Sequence, residues 1–139
     1  MLAKQLSVFL ENSEGRLDEV LKILAQGNVM LRSVSLADTM EYGVLRIISE
    51  EPERAKQLLK DAGFAARIDE IIAVVVPDAV GSLAKVIAMI HEAGVNISYI
   101  YGLSIGGDGA PIAIKTDDNI KTEKLLEAAG VRTIGLGDF

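Results

Sequence analysis

The chain contains no cysteine and no tryptophan, three prolines and a single histidine. Without cysteine there are no disulfides, no thiolate nucleophile and no thiolate metal site. With one histidine, His91, and no cysteine, a transition-metal site has no second soft ligand to draw on. An excess of basic charge is also lacking. Lys and Arg total 14 against 20 Asp and Glu, a net charge of −6, with the two signs interspersed. Such a surface repels nucleic acid and anionic membranes alike, and three Phe with three Tyr offer few platforms on which bases stack. At the N-terminus, MLAKQLSVFLENSEG holds one basic residue. Its apolar stretch of about five residues is too short for a signal-peptide core or a membrane span. The expectation is a cytoplasmic protein without cofactor or metal. Half of the residues are apolar, ample for a packed core.

What is present is an internal repeat. NSEGRLDEVLKIL (12–24) aligns with DAVGSLAKVIAMI (78–90) at an offset of 66, pairing Asn12 with Asp78, Gly15 with Gly81 and Leu17 with Leu83. After one extra residue the offset is 67, and Leu58, Leu59, Ala62 and Gly63 match Leu125, Leu126, Ala129 and Gly130. Two small domains, 1–69 and 70–139, are therefore expected.

Inside each copy the hydrophobic period alternates. Leu6–Leu10 and Ile71–Val76 are β-rich runs. Leu17, Val20, Leu21 and Leu24, like Leu83, Val86, Ile87 and Ile90, recur at helical spacing. Gly27-Asn28 and Ala93-Gly94 are stop signals. Second strands (29–36, 95–103) and third strands (44–48, 111–115) follow, joined by hairpin loops at 38–43 and 106–109. Pro52 suits the start of the next helix, and Asp117 or Asp118 suits the cap of its counterpart. Residues 64–68 and 131–134 close the copies. The order β-α-β-β-α-β, twice, is the α+β ferredoxin-like split unit, an antiparallel sheet with helices on one face. In IIAVVV (71–76) both alternating faces are apolar, which predicts that a second subunit covers the open face in a homodimer.

The strand-to-helix junctions carry the chemistry. Asn12 and Asp78 are of N-capping type. A helix's first turn offers free N–H groups and a positive dipole end, suited to a carboxylate. Glycine there (Gly15, Gly81) lets a ligand approach the backbone, so that valine at Gly81 is expected to block it. Asp78 is placed to receive an ammonium group. Amides for a carboxylate and an acid for an ammonium are what a free amino acid requires.

Strand, Asp/Asn-x-x-Gly-x-Leu, helix and then Gly-Val-Asn-Ile resembles the ACT domain, the small regulatory module attached to enzymes such as aspartate kinase and phosphoglycerate dehydrogenase. PDAVGSLAKV (77–86) and AGVNISYI (93–100) match its pattern closely, NSEGRLDEVLKIL and GNVMLRSV (27–34) more loosely. The resemblance spans essentially the whole chain, as two copies without a catalytic domain. It implies that the copies pair side by side into one eight-stranded sheet and bind an amino acid where copies meet. The site residues it implies are Asn12, Ser13, Glu14, Gly15, Arg16 and Leu17 with Met30 and Leu31 in the first copy. In the second they are Asp78, Ala79, Val80, Gly81, Ser82 and Leu83 with Asn96 and Ile97. Asn96, Tyr99 and Tyr101 are candidates for polar recognition. The departures between the loops, Asn12, Glu14 and Arg16 against Asp78, Val80 and Ser82, predict unequal sites.

Other candidates weigh less. His91 near a helix end is expected to pack, GGDG (106–109) to turn a hairpin, and Asp117, Asp118 and Asn119 to cap a helix rather than hold calcium. With no nucleophile–base pair in sight, an enzyme ranks below two alternatives. The leading one is an amino-acid sensor acting on a regulated enzyme or other protein; the other is a regulator that binds protein alone.

Overall fold

The computed structural model describes residues 2–11, 14–38, 42–104 and 108–135. The chain divides into two compact units, Lys4–Asp69 (the first unit) and Glu70–Phe139 together with Met1–Ala3 (the second unit).

In the first unit the elements are β1 (Ala3–Glu11), α1 (Arg16–Gln26), β2 (Leu31–Asp38), β3 (Tyr42–Ser49), α2 (Pro52–Asp61) and the beginning of β4 (Ala65–Val76). The second unit continues with the rest of β4, α3 (Ser82–Glu92), β5 (Ile97–Gly102), β6 (Ala110–Thr116), α4 (Asn119–Ala128) and β7 (Arg132–Ile134). Eight strands were expected, and the described residues hold seven. The closing run of the first copy and the opening run of the second, 64–68 and 71–76, are one uninterrupted strand, β4. Arg67, Asp69 and Glu70 are polar, but nothing between the runs turns the chain: no glycine or proline interrupts them.

Each unit keeps the same strand permutation. In the first, β2 pairs β3, β3 pairs β1 (Leu6 opposite Ile47, Leu10 opposite Gly43), and β4 lies beside β1. In the second, β5 pairs β6, β6 pairs β4 (Ile72 opposite Ile114, Val76 opposite Ala110), and β7 lies on the other side of β4. All of these assigned pairs are antiparallel. One long and one short edge result, and the helical crossovers connect non-neighbouring strands, as the split unit demands.

Alternation decides which side the helices cover. Leu6, Val8 and Leu10 of β1 with Leu45 and Ile47 of β3 meet Val20 and Leu24 of α1 and Ala55 and Leu59 of α2. The second core repeats this with Ile72, Val74 and Val76, Ile112 and Ile114, Val86 and Ile90 of α3, and Leu126 of α4. Three stripe positions depart from the pattern: Leu83 is 39% exposed where Leu17 packs on the first core, and Leu21 and Ile87 are half-buried outside the two core clusters, to which Ile23 and Met89 contribute instead.

The C-terminal ends of α1 and α3 and the start of α4 follow the expected chemistry. Asn28 and Gly94, equivalent positions, both take positive φ after their helices (58° and 75°). A cation from the next helix then reaches the freed carbonyls. Arg54 donates to the Gly27 carbonyl, and Lys121 Nζ donates to that of Ala93 at 2.9 Å. Asp118 caps α4, its Oδ1 accepting the Lys121 N–H at 3.1 Å, while Asp117 accepts the Asn96 N–H at 3.1 Å.

The second face of β4, left to a partner subunit on sequence grounds, is buried within the chain itself: Ile71 is 0% and Ala73 1% exposed. Exposed apolar side chains sit instead on the outer strands, Val34 and Leu36 on β2 and Ile100 on β5. Leu59→Ala and Leu126→Ala should each lower stability by about 2–5 kcal/mol. Ile120→Ala, on the exposed side of α4, should stay within about 0.5 kcal/mol. Denaturant midpoints of the three variants check this.

Candidate functional site

The two strand-to-helix junctions adopt one backbone. Gly15 (φ 85°) and Gly81 (φ 86°) are the N-cap residues of α1 and α3, both left-handed, and among the described residues neither helix has a side-chain cap. The expectation that Asp78 caps α3 is therefore corrected. The chain turns before the helix, Ala79 N–H to Pro77 O at 2.8 Å and Ser82 N–H to Ala79 O at 3.2 Å. That tight turn leaves Asp78 three residues short of the cap position, exposed. Asn12 and Ser13 lie outside the described residues, as do parts of the loops at 38–43 and 106–109. At Gly81 an added Cβ would meet open space, yet the positive φ strains any L side chain. Valine there would thus report backbone strain as well as a blocked approach, and side-chain tests belong elsewhere.

Beside the second junction lies a groove of about 540 Å³, within the range of about 300–1,000 Å³ usual for small-molecule sites. It is formed by the end of β4, the first two turns of α3, the tip of the β5–β6 connection, and the passage from α4 into β7. Its apolar lining comes from Val75, Val76, Val86, Met89 and Val131. Four charged side chains also line it: Asp78, Asp108, Lys85 and Arg132. Gly109 closes one wall and must be glycine, since its φ is 86° and a Cβ would lie 2.7 Å from Val75 Cγ1 and 2.9 Å from the Val76 carbonyl.

Of the expected site residues, this groove gathers Asp78 and Ser82. Ala79 and Val80 are exposed on the turn, Val80 fully so. Asn96 and Ile97 are elsewhere: Ile97 pairs with Thr116 and Val76 with Ala110, six residues apart along β6. At about 3.4 Å per residue the two groups are about 20 Å apart, at opposite ends of one sheet. Leu31, opposite Ser49, is removed in the same way from the first junction, whose strand ends opposite Tyr42, and Met30 beside it is 56% exposed. Tyr99 and Tyr101 stack on each other at 6.3 Å and do not line the groove. His91 is exposed in the last turn of α3, away from Asp78.

The first junction is different in content. Arg16 lies over the Phe64 ring, 5.2 Å from its centroid, and pairs with Glu19 (3.1 Å) and Glu11 (3.6 Å). Glu14 is exposed and Leu17 packs into the core. Lys85, Asp108 and Arg132 were not foreseen from sequence. Lys85 was legible only as the residue at helical spacing from Asp78-x-x-Gly81, while Asp108 and Arg132 arrive through sheet pairing. Among the described residues no group of three or more His, Asp or Glu could hold a metal ion, and no helix is long and apolar enough to cross a membrane.

A family model described as ACT domain pair matches residues 1–132. The chain belongs to the ACT domain pair family. Among solved structures, protein BT0572 from Bacteroides thetaiotaomicron is 36% identical, with a TM-score of 0.91 over 99% of this chain and 95% of that one. The regulatory subunits of aspartate kinase from Thermus thermophilus (ligand-free form) and Thermus flavus share the fold at 16% and 15% identity. Their TM-scores are 0.60 and 0.63, over 93% and 94% of this chain and 92% of each of theirs. No curated protein matches the chain.

Each ACT repeat thus presents the same backbone junction with different side chains. Asp118→Ala should cost about 1 kcal/mol through the lost cap of α4. Asp78→Ala, which caps nothing, should change stability by less than about 0.5 kcal/mol. Paired denaturation curves separate the two.

Proposed function

We propose that this ACT pair is a non-catalytic, cytoplasmic regulatory protein, its repeats being 1–69 and 70–139, that binds a free amino acid and relays its presence to a partner protein. The observation that carries the reading is the groove of the second unit, which sets two carboxylates and two cations around an apolar floor. A zwitterion needs both signs within one site, and a purely anionic or cationic ligand would leave one pair uncompensated. Asp78 receives the ammonium group, and Ser82 contributes a hydroxyl. Gly81, Asn96 and Ile97, or their first-copy counterparts Gly15, Met30 and Leu31, join a site of this kind only if different copies of the fold supply the junction and the strand. Binding signals only insofar as it favours one arrangement of repeats or subunits over another.

Homodimerisation is part of the proposal, on new grounds. Val34 and Leu36 are exposed on β2, opposite the core residues Ile47 and Leu45, on a strand with one free edge. An edge that shows apolar side chains invites strand pairing with another chain. Light scattering at micromolar concentration should give twice the 14.8 kDa chain mass, and Leu36→Lys should shift it to the monomer.

Amino-acid binding is tested by melting the protein with each of the twenty amino acids at millimolar concentration. A ligand present at about 100 times its Kd should stabilise by about 2.7 kcal/mol, a rise of several degrees. No rise with any of them would favour the second reading, a regulator that binds protein through the apolar β2 edge alone.

A further inference from the structure

One place is built differently in the two repeats. The counterpart of the second unit's groove, in the first unit, is a cavity of about 250 Å³ lined by Phe9, Leu10, Glu11, Arg16, Tyr42 and Phe64 among others, less than half the volume. At three places a large side chain in the first unit stands where the second has a small one, while Ala65 corresponds to Arg132 in the opposite sense. Arg16 corresponds to Ser82 and Phe64 to Val131. Tyr42 and Gly109 each directly precede the matched strand positions Gly43 and Ala110, which pair with Leu10 and Val76. In the first unit these side chains are held by aromatic contacts. The Arg16 guanidinium lies over the Phe64 ring, and the Tyr42 ring packs edge-on to Phe9 at 6.2 Å. In the second unit that volume is empty, and Gly109 admits no side chain that could fill it.

Charge follows the same division. The first turn of α1 carries Asp18 and Glu19, whereas that of α3 carries no acid and has Lys85 where α1 has Glu19. An incoming carboxylate is repelled in the first unit and attracted in the second. The floor vacated by Arg16, Phe64 and Tyr42 is Val75, Val76, Val86, Met89 and Val131, an apolar surface with no polar side chain among those five. Whatever fills it gains by burying hydrocarbon there.

We infer that the groove of the second unit takes one free amino acid with an apolar side chain, and that Arg16, Phe64 and Tyr42 permanently close its counterpart in the first unit. The inference rests on the amino-acid reading above and assigns that ligand's class, its place and its stoichiometry. Lys85 and Arg132 hold the carboxylate, Asp78 and Asp108 the ammonium group, and the side chain lies on the valine and methionine floor.

Titration calorimetry of the full chain with leucine, isoleucine, valine, methionine and phenylalanine, against aspartate, lysine and serine, tests this. At least one apolar amino acid should bind with one site per chain and at least tenfold more tightly than the three polar ones. Moving the first unit's plug into the second, in the double variant S82R/V131F, should weaken binding at least tenfold. Because the larger side chain at Val131 faces the core, Lys85→Glu is the companion. It changes only an exposed side chain and should produce a similar loss in a protein that melts as the wild type does. Unchanged binding in Lys85→Glu and in a folded S82R/V131F would place the ligand elsewhere and overturn the inference while leaving amino-acid sensing intact. Two sites per chain, or a preference for aspartate, lysine or serine, would likewise overturn it alone. Absence of binding by any amino acid would overturn the proposed function, and this inference with it.

Discussion

Each repeat depends on one apolar layer between a sheet face and two helices. Leu6, Val8, Leu10, Leu45 and Ile47 pack against Val20, Leu24, Ala55 and Leu59, with Val29, Phe64 and Ala66 completing the cluster, and the second unit has the same dependence. Everything at the surface is positioned by that layer. The helices can lie on the sheet only if the chain leaves β1 and β4 through a sharp turn, which Gly15 and Gly81 supply by taking positive φ. The groove is the space this turn leaves beside the helix, bounded by whatever side chains the neighbouring strand ends bring.

Because both repeats obey the same packing constraint, they differ where packing is indifferent, at the rim. Arg16 over Phe64 satisfies the first unit locally. Ser82 and Val131, at the corresponding places, leave a cavity that packing alone does not explain, since closing it would add buried contacts. A retained cavity of about 540 Å³ over an apolar floor leaves hydrocarbon uncovered that the first unit covers, a cost that the proposed ligand would offset. The asymmetry also suits a regulator. A ligand that engages one repeat only changes that repeat's free energy and not the other's, which is the differential effect that a signal requires.

Much of this was readable from residue order. The element types, their β-α-β-β-α-β sequence, the apolar stripes of α1 and α3 apart from Leu21, Leu83 and Ile87, the Pro52 start, the Asp118 cap and the Asn28 and Gly94 stops follow from period and turn chemistry that act over a few residues. The fusion of two expected strands into β4 was missed because polar residues at 67, 69 and 70 look like a break. Their alternation with apolar neighbours is nonetheless compatible with an extended chain. Asp78 was assigned to a cap because its residue type prefers one, but the turn at Pro77 to Ser82 places glycine there instead.

By itself the sequence determined the local grammar: two copies, their helices and strands, and the recurrence of a glycine junction. Those are set by side-chain period and by φ preferences that no distant residue alters. Only the tertiary structure decided the site. Asp78, Lys85, Asp108 and Arg132 lie up to 54 positions apart and share a groove because β4 pairs with both β6 and β7. The same pairing sends Asn96 about 20 Å away, although the chain places it nearer to Asp78 than Asp108 is. Strand order, not separation along the chain, sets which side chains meet.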